Sequence, residues 1–137
     1  MTAPLLSGIF VALALLHFFW AAGDGGGLDG FVPSEDGKPL LTASPLASLL
    51  VGVAMLAAAL VVTCRAGWWC VGLPAPLARV GIWVIALLFA LRAIGEFRYV
   101  GFFKRVRGTR FARRDTWIFS PLCVVIAMLA TRLGMAP

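Results

Sequence analysis

Histidine occurs once in this chain, as His17, and cysteine three times, as Cys64, Cys70 and Cys123. No two cysteines form a C-x-x-C pair, and one imidazole cannot complete the usual zinc set, so neither a metal site nor a cofactor is expected. Charge is scarce too: 13% of residues are Asp, Glu, Lys or Arg, against about 25% in ordinary soluble domains. Acids are the scarcer sign, six against twelve Lys and Arg, which leaves a net charge of +6. Hydrocarbon fills the rest, with 61% hydrophobic residues and a mean hydropathy of +0.97. A soluble domain of 137 residues could not hide that much apolar surface, whereas a bilayer can. In a soluble protein such a basic balance would suggest nucleic acid. Here the cations flank apolar runs, where they set topology or meet anionic headgroups, so nucleic acid is not an expected partner.

Four apolar runs are present, at about 4–22, 46–64, 77–95 and 120–136, each close to the ~20 residues that cross ~30 Å of hydrocarbon. The expected fold is all-α: a single transmembrane domain, residues 1–137, built as a four-helix bundle with a basic amphipathic segment after the third helix. The first run is not expected to be a cleaved signal peptide. No Lys or Arg precedes it, and Phe18, Phe19 and Trp20 crowd the place where small cleavage-site residues belong. The second run carries nothing ionisable, and its Gly52, Ala54, Ala57, Ala58 and Ala59 permit close helix approach. Ser44-Pro45 and Ser120-Pro121 each read as an N-cap followed by proline at the first helical position.

The connections differ in character. After the first run, GDGGGLDG with Pro33, Gly37 and Pro39 means turns, and Asp24, Asp29, Glu35 and Asp36 against Lys38 make the loop acidic. It lacks the regular oxygen spacing and terminal Glu of a calcium loop, so a solvated loop is expected. Cys64 and Cys70 flank the short second connection; free thiols are the favoured expectation and a disulfide the alternative. The third connection gathers the charge. Arg92 to Ser120 holds eight of the twelve basic residues, together with Glu96 and Asp115. Within it Tyr99, Phe102, Phe103 and Val106 recur at i, i+3, i+4 and i+7, with Arg98, Lys104 and Arg105 on other faces. That pattern predicts an amphipathic helix on the membrane surface. A topology determinant touching anionic lipid is favoured for it over a basic lid.

Position along each run sets the membrane level of the polar groups. His17 and Trp20 lie near the loop end of the first run, on one helical face with Asp24 at i, i+3 and i+7. Arg92 and Glu96 lie at the loop end of the third, four apart and so able to pair within a helix. Asp115, Ser120 and Cys123 lie at the same end of the fourth. The candidate ligand-binding residues are therefore His17, Trp20, Arg92, Glu96, Arg98, Lys104, Arg105, Asp115 and Ser120; none is assigned a catalytic or metal-binding role. An ion pair that only locks packing and a site that holds an anion weigh equally for Arg92 and Glu96. Eight basic residues lie on the side of the two long loops and Arg65, Arg79 and Arg132 on the terminal side. The positive-inside rule places both termini outside the cytoplasm.

The run RAIGEFRYVGFFKRVRGTRFARRDTWIFSPLC, with His17, Trp20 and the glycine-rich loop upstream, resembles a family of small bacterial four-helix membrane proteins catalogued as a domain of unknown function. The resemblance covers essentially the whole chain and is strongest from Arg92 to Cys123. In that family a carboxylate follows R-A-I-G, as Glu96 does here, and a tyrosine often precedes the Ser-Pro pair, where this chain has Phe119. The resemblance implies an integral protein of the bacterial inner membrane and carries over no activity.

Three functions from different classes follow. The first is a binding or assembly module that holds an anionic lipid-like or phosphorylated ligand, with guanidinium groups on the anion. The second is a small proton-coupled transporter acting as a homodimer, with Glu96 titrating; the clustering of charge at one end speaks against it. The third is a membrane enzyme using His17 and Glu96 as acid and base, for which no nucleophile or metal set is present. Anionic membrane lipids are the expected partners.

Overall fold

The computed structural model describes residues 1–23, 34–35, 38–39, 44–70, 72–95, 97–105 and 107–136. Four helices in it are long and apolar enough to cross a membrane. They are α1 (Thr2–Ala22), α2 (Pro45–Arg65), α3 (Ala75–Ile94) and a run from Arg110 to Met135. The last consists of α4 (Arg110–Arg114), a π-helical turn (Asp115–Phe119) and α5 (Ser120–Met135). A two-residue antiparallel ladder, β1 (Ser34–Glu35) with β2 (Lys38–Pro39), lies in the first connection.

The Ser44-Pro45 start is as expected: Ser44 Oγ accepts the Ala47 N–H at 3.0 Å. The Ser120-Pro121 start is not. The fourth helix begins ten residues upstream of Ser120, where Thr109 caps it by accepting the Ala112 N–H at 3.0 Å. Pro121 therefore lies inside a continuous helix. It has no N–H for the Trp117 carbonyl, and its ring crowds that carbonyl. The turn before it opens to π geometry, with the Ser120 N–H bonded to the Asp115 carbonyl.

α1 packs along α2 and α3 along α5; the α2–α3 and α1–α5 seams close the ring more loosely. Leu6, Phe10, Val62, Ile82 and Ile126 form its fully buried centre. Small residues set how closely the helices approach. A Cβ on Gly52 would lie 2.5 Å from the Phe18 ring, and one on Gly81 would lie 2.8 Å from Val61. The expected close approach at Gly52 is thus present between α1 and α2. Large apolar side chains such as Leu15, Leu60, Val80, Leu87 and Met128 cover the outside, which is what a hydrocarbon solvent requires.

Two expectations need correction here. The segment after α3 is not an amphipathic helix; its described residues form bends and turns that fold back on α3. Cys64 and Cys70 are not free thiols but form a disulfide, with Cα atoms 4.4 Å apart, while Cys123 is free and buried. The bridge forms because α2 ends at Arg65 and the chain reverses at Gly67, which has φ of 70°.

Candidate functional site

Asp115 is fully buried in the π-helical turn and organises the basic end of the bundle. Its Oδ1 accepts from Arg92 Nη2 at 2.9 Å. Its Oδ2 accepts from the Gly101 N–H at 2.8 Å, Lys104 Nζ at 2.8 Å and Ser120 Oγ at 3.3 Å. A carboxylate with these donors meets the condition for burying a charge, namely pairing and hydrogen bonding together.

Two glycines make this geometry. Gly95 ends α3 with φ of 87°, and Gly101 has the same φ. They stack backbone on backbone: a Cβ on Gly95 would fall 1.7 Å from the Val100 carbonyl oxygen, and one on Gly101 2.4 Å from that of Ile94. Only glycine fits either place. The turn is pinned by the Phe102 N–H on the Ala93 carbonyl at 2.9 Å, which aims the Gly101 N–H at Asp115. It also carries Lys104 inward.

Lys104, expected off the apolar face of a surface helix, is instead 2% exposed. Its ammonium donates to the Gly101 carbonyl at 3.0 Å, to Asp115 and to Thr116 Oγ1 at 2.7 Å, which uses all three of its protons. Thr116 passes its own proton to the Ala112 carbonyl at 3.0 Å. Lys104 is thus a structural cation, with none of its donors left for a ligand. Arg98 and Arg105 are exposed and line no part of the cavity described below; Arg98 lies over the Tyr99 ring, 5.0 Å from its centroid.

α3 stops at Ile94, so the expected pairing of Arg92 with Glu96 falls beyond the helix. Glu96 itself lies outside the described residues, as does Asp24. Arg92 pairs with Asp115, 23 residues on. Among the described residues its buried Nη1 has no hydrogen-bond partner.

Beside this network lies a cavity of about 450 Å³, bounded by Leu13, His17 and Trp20 of α1, Phe89 and Arg92 of α3, and Phe111, Phe119, Cys123 and Ile126 of the fourth helix. Its polar groups are few. His17 Nδ1 donates to the Leu13 carbonyl at 2.8 Å, and the ring stands edge-on to Trp20 at 5.2 Å. The structure therefore joins Arg92, Lys104, Asp115 and Ser120 in one ionic network, and His17, Trp20 and Arg92 around one cavity, with Arg92 common to both. Gly101 and Thr116 belong to the network but were not singled out from the sequence. The available signals were Gly95 and Gly101 six apart, and Thr116 beside the acid.

No curated protein and no solved structure matches this chain. One family model, described as a protein of unknown function (DUF3995), matches residues 10–130. That match takes in α2, α3 and the whole Asp115 network, together with His17 and Trp20. The chain belongs to the DUF3995 family.

Proposed function

We propose that this protein is a membrane-embedded binding module for an anionic amphiphile, held with its apolar part in the cavity and its head at Arg92. The observation that carries this reading is the cavity itself: an apolar, aromatic-rich chamber whose one charged wall residue, Arg92, keeps a buried donor unpaired among the described residues. Apolar pockets with a few convergent polar groups are what ligands of this kind use. Asp115 orients the guanidinium through Nη2, and Lys104 offsets the carboxylate charge. The proposal assigns Arg92, His17 and Trp20 to the ligand, and Asp115, Lys104 and Ser120 to holding Arg92 in place. Arg98 and Arg105, exposed beside Phe97, Phe102 and Phe103, are suited to anionic headgroups at the membrane surface.

In this reading the protein spans the bacterial inner membrane with its termini outside the cytoplasm. Two independent features support that orientation. Positive residues crowd the loop end, and the Cys64–Cys70 disulfide lies at the opposite end, where an oxidising compartment would preserve it.

Organic extraction of protein purified in a neutral detergent, followed by mass spectrometry, tests the binding. A stoichiometric anionic amphiphile is expected from the native protein and is expected to be depleted from Arg92→Met. Equal lipid content in the two, with both folded, would overturn the assignment.

A further inference from the structure

We infer that the ligand is a monoanionic, single-chain amphiphile admitted from the hydrocarbon side of the membrane. This rests on the binding reading above and adds the charge, the tail and the route.

Charge comes first. Among the described residues, the network around Arg92 contains two cations, Arg92 and Lys104, and one carboxylate, Asp115. Together they leave one positive charge uncompensated. Lys104 has spent all its donors, so the uncompensated charge is offered through Arg92. His17 commits its Nδ1–H to the Leu13 carbonyl, so that nitrogen offers no donor to a ligand. One negative charge balances this site. A second would be left unpaired inside the protein, where a buried charge without a partner is costly. A carboxylate satisfies the balance; a phosphomonoester, carrying about −1.5 to −2 near neutral pH, does not.

About 450 Å³ falls in the lower half of the roughly 300–1,000 Å³ typical of ligand pockets, room for one alkyl chain beside a small head. The route follows from two lining residues that also face outward. Leu16 is 39% exposed and Leu88 is 59% exposed, both on surfaces otherwise covered by apolar side chains. The mouth of the cavity is therefore bordered by side chains that meet lipid, and a membrane-dissolved molecule reaches Arg92 without crossing water.

The test uses the full chain in maltoside micelles, with bound ligand quantified by native mass spectrometry at pH 8. Four probes compete: stearate, stearyl alcohol, octadecyl phosphate and phosphatidylglycerol. Stearate is expected to bind at least tenfold more tightly than either the neutral alcohol or the phosphomonoester. Arg92→Met is expected to erase the preference over the alcohol. Leu88→Trp leaves every member of the ionic network in place and narrows the mouth. It is expected to weaken stearate at least fivefold, and it carries the test if Arg92→Met does not fold. An Arg92-dependent preference for octadecyl phosphate would overturn the monoanion, and one for phosphatidylglycerol would overturn the single chain; either would leave the binding reading standing. Stearate binding indifferent to Leu88→Trp would overturn the route. Absence of Arg92-dependent binding by any probe would remove the binding reading as well.

Discussion

Asp115 is the residue on which the basic end depends, because it accepts from a helix, a loop backbone, a buried lysine and a serine at once. Removing it leaves Lys104 buried without its counter-charge. Breaking a buried pair in this way costs about 3–5 kcal/mol. Asp115→Ala is accordingly expected to lower the melting temperature in detergent far more than Arg113→Ala, an exposed charge on α4. A melting temperature for Asp115→Ala within error of the native value would contradict the network. The same scale separates two glycines that sequence cannot tell apart. Gly101→Ala must place a Cβ against the Ile94 carbonyl at an unfavourable φ, whereas Gly108 has open space around it. Thermal melts of the two alanine variants should show a large loss for Gly101 and almost none for Gly108.

Among the elements, the fourth helix has the most unusual construction. Its 26 residues extend about 39 Å at 1.5 Å per residue, longer than the ~30 Å hydrocarbon core. The surplus allows α4 and the π-helical turn to lie at headgroup level, where a charged cluster is less costly than at the midplane. The turn also brings Asp115 and Ser120, five residues apart, onto one face, so that Ser120 Oγ reaches the carboxylate. At the other end of the bundle the disulfide ties the last turn of α2 to its connection, and Arg65 reaches the Ala136 carbonyl at the end of α5. A loop this short closes with about 2 kcal/mol of stabilisation in the chain-entropy account. Replacing both Cys64 and Cys70 with Ser should lower stability by about that amount and leave the lipid content unchanged, since the cavity is at the opposite end. Alkylation of denatured protein with and without reductant checks the bridge: Cys64 and Cys70 should react only after reduction, and Cys123 in both conditions.

For the molecule as a whole, the asymmetry between its two ends is the governing feature. One end carries the ionic network, the cavity and the exposed arginines; the other carries the disulfide and isolated arginines. In a background lacking the native cysteines, a cysteine at Gly108 should be shielded from an impermeant thiol reagent in intact cells, and one at Ala136 should react. Labelling in the reverse sense would place the cavity end in the other compartment and leave the disulfide in a reducing one.

Hydropathy alone determined the number of spanning helices and the gathering of polar groups at one end. Both depend on composition and on position along a run, which are local quantities. The capping of α2 by Ser44 was legible for the same reason, since a cap is settled within four residues. The partners inside the cluster were not. Arg92 and Glu96 satisfy the i, i+4 rule, but that spacing says nothing of the partner Arg92 finds in Asp115, 23 residues on. Lys104 falls off the apolar stripe of the helical pattern, yet the stacked turn of Gly95 and Gly101 turns it inward. Ser120-Pro121 looks like a helix start, yet Thr109 caps the helix upstream and the proline is accommodated by widening one turn. The closure of Cys64 onto Cys70 likewise depends on the reversal at Gly67. Each of these was decided by where the backbone carries a residue across the bundle, because a buried charge takes whichever counter-charge packing brings within about 3 Å, however distant in sequence.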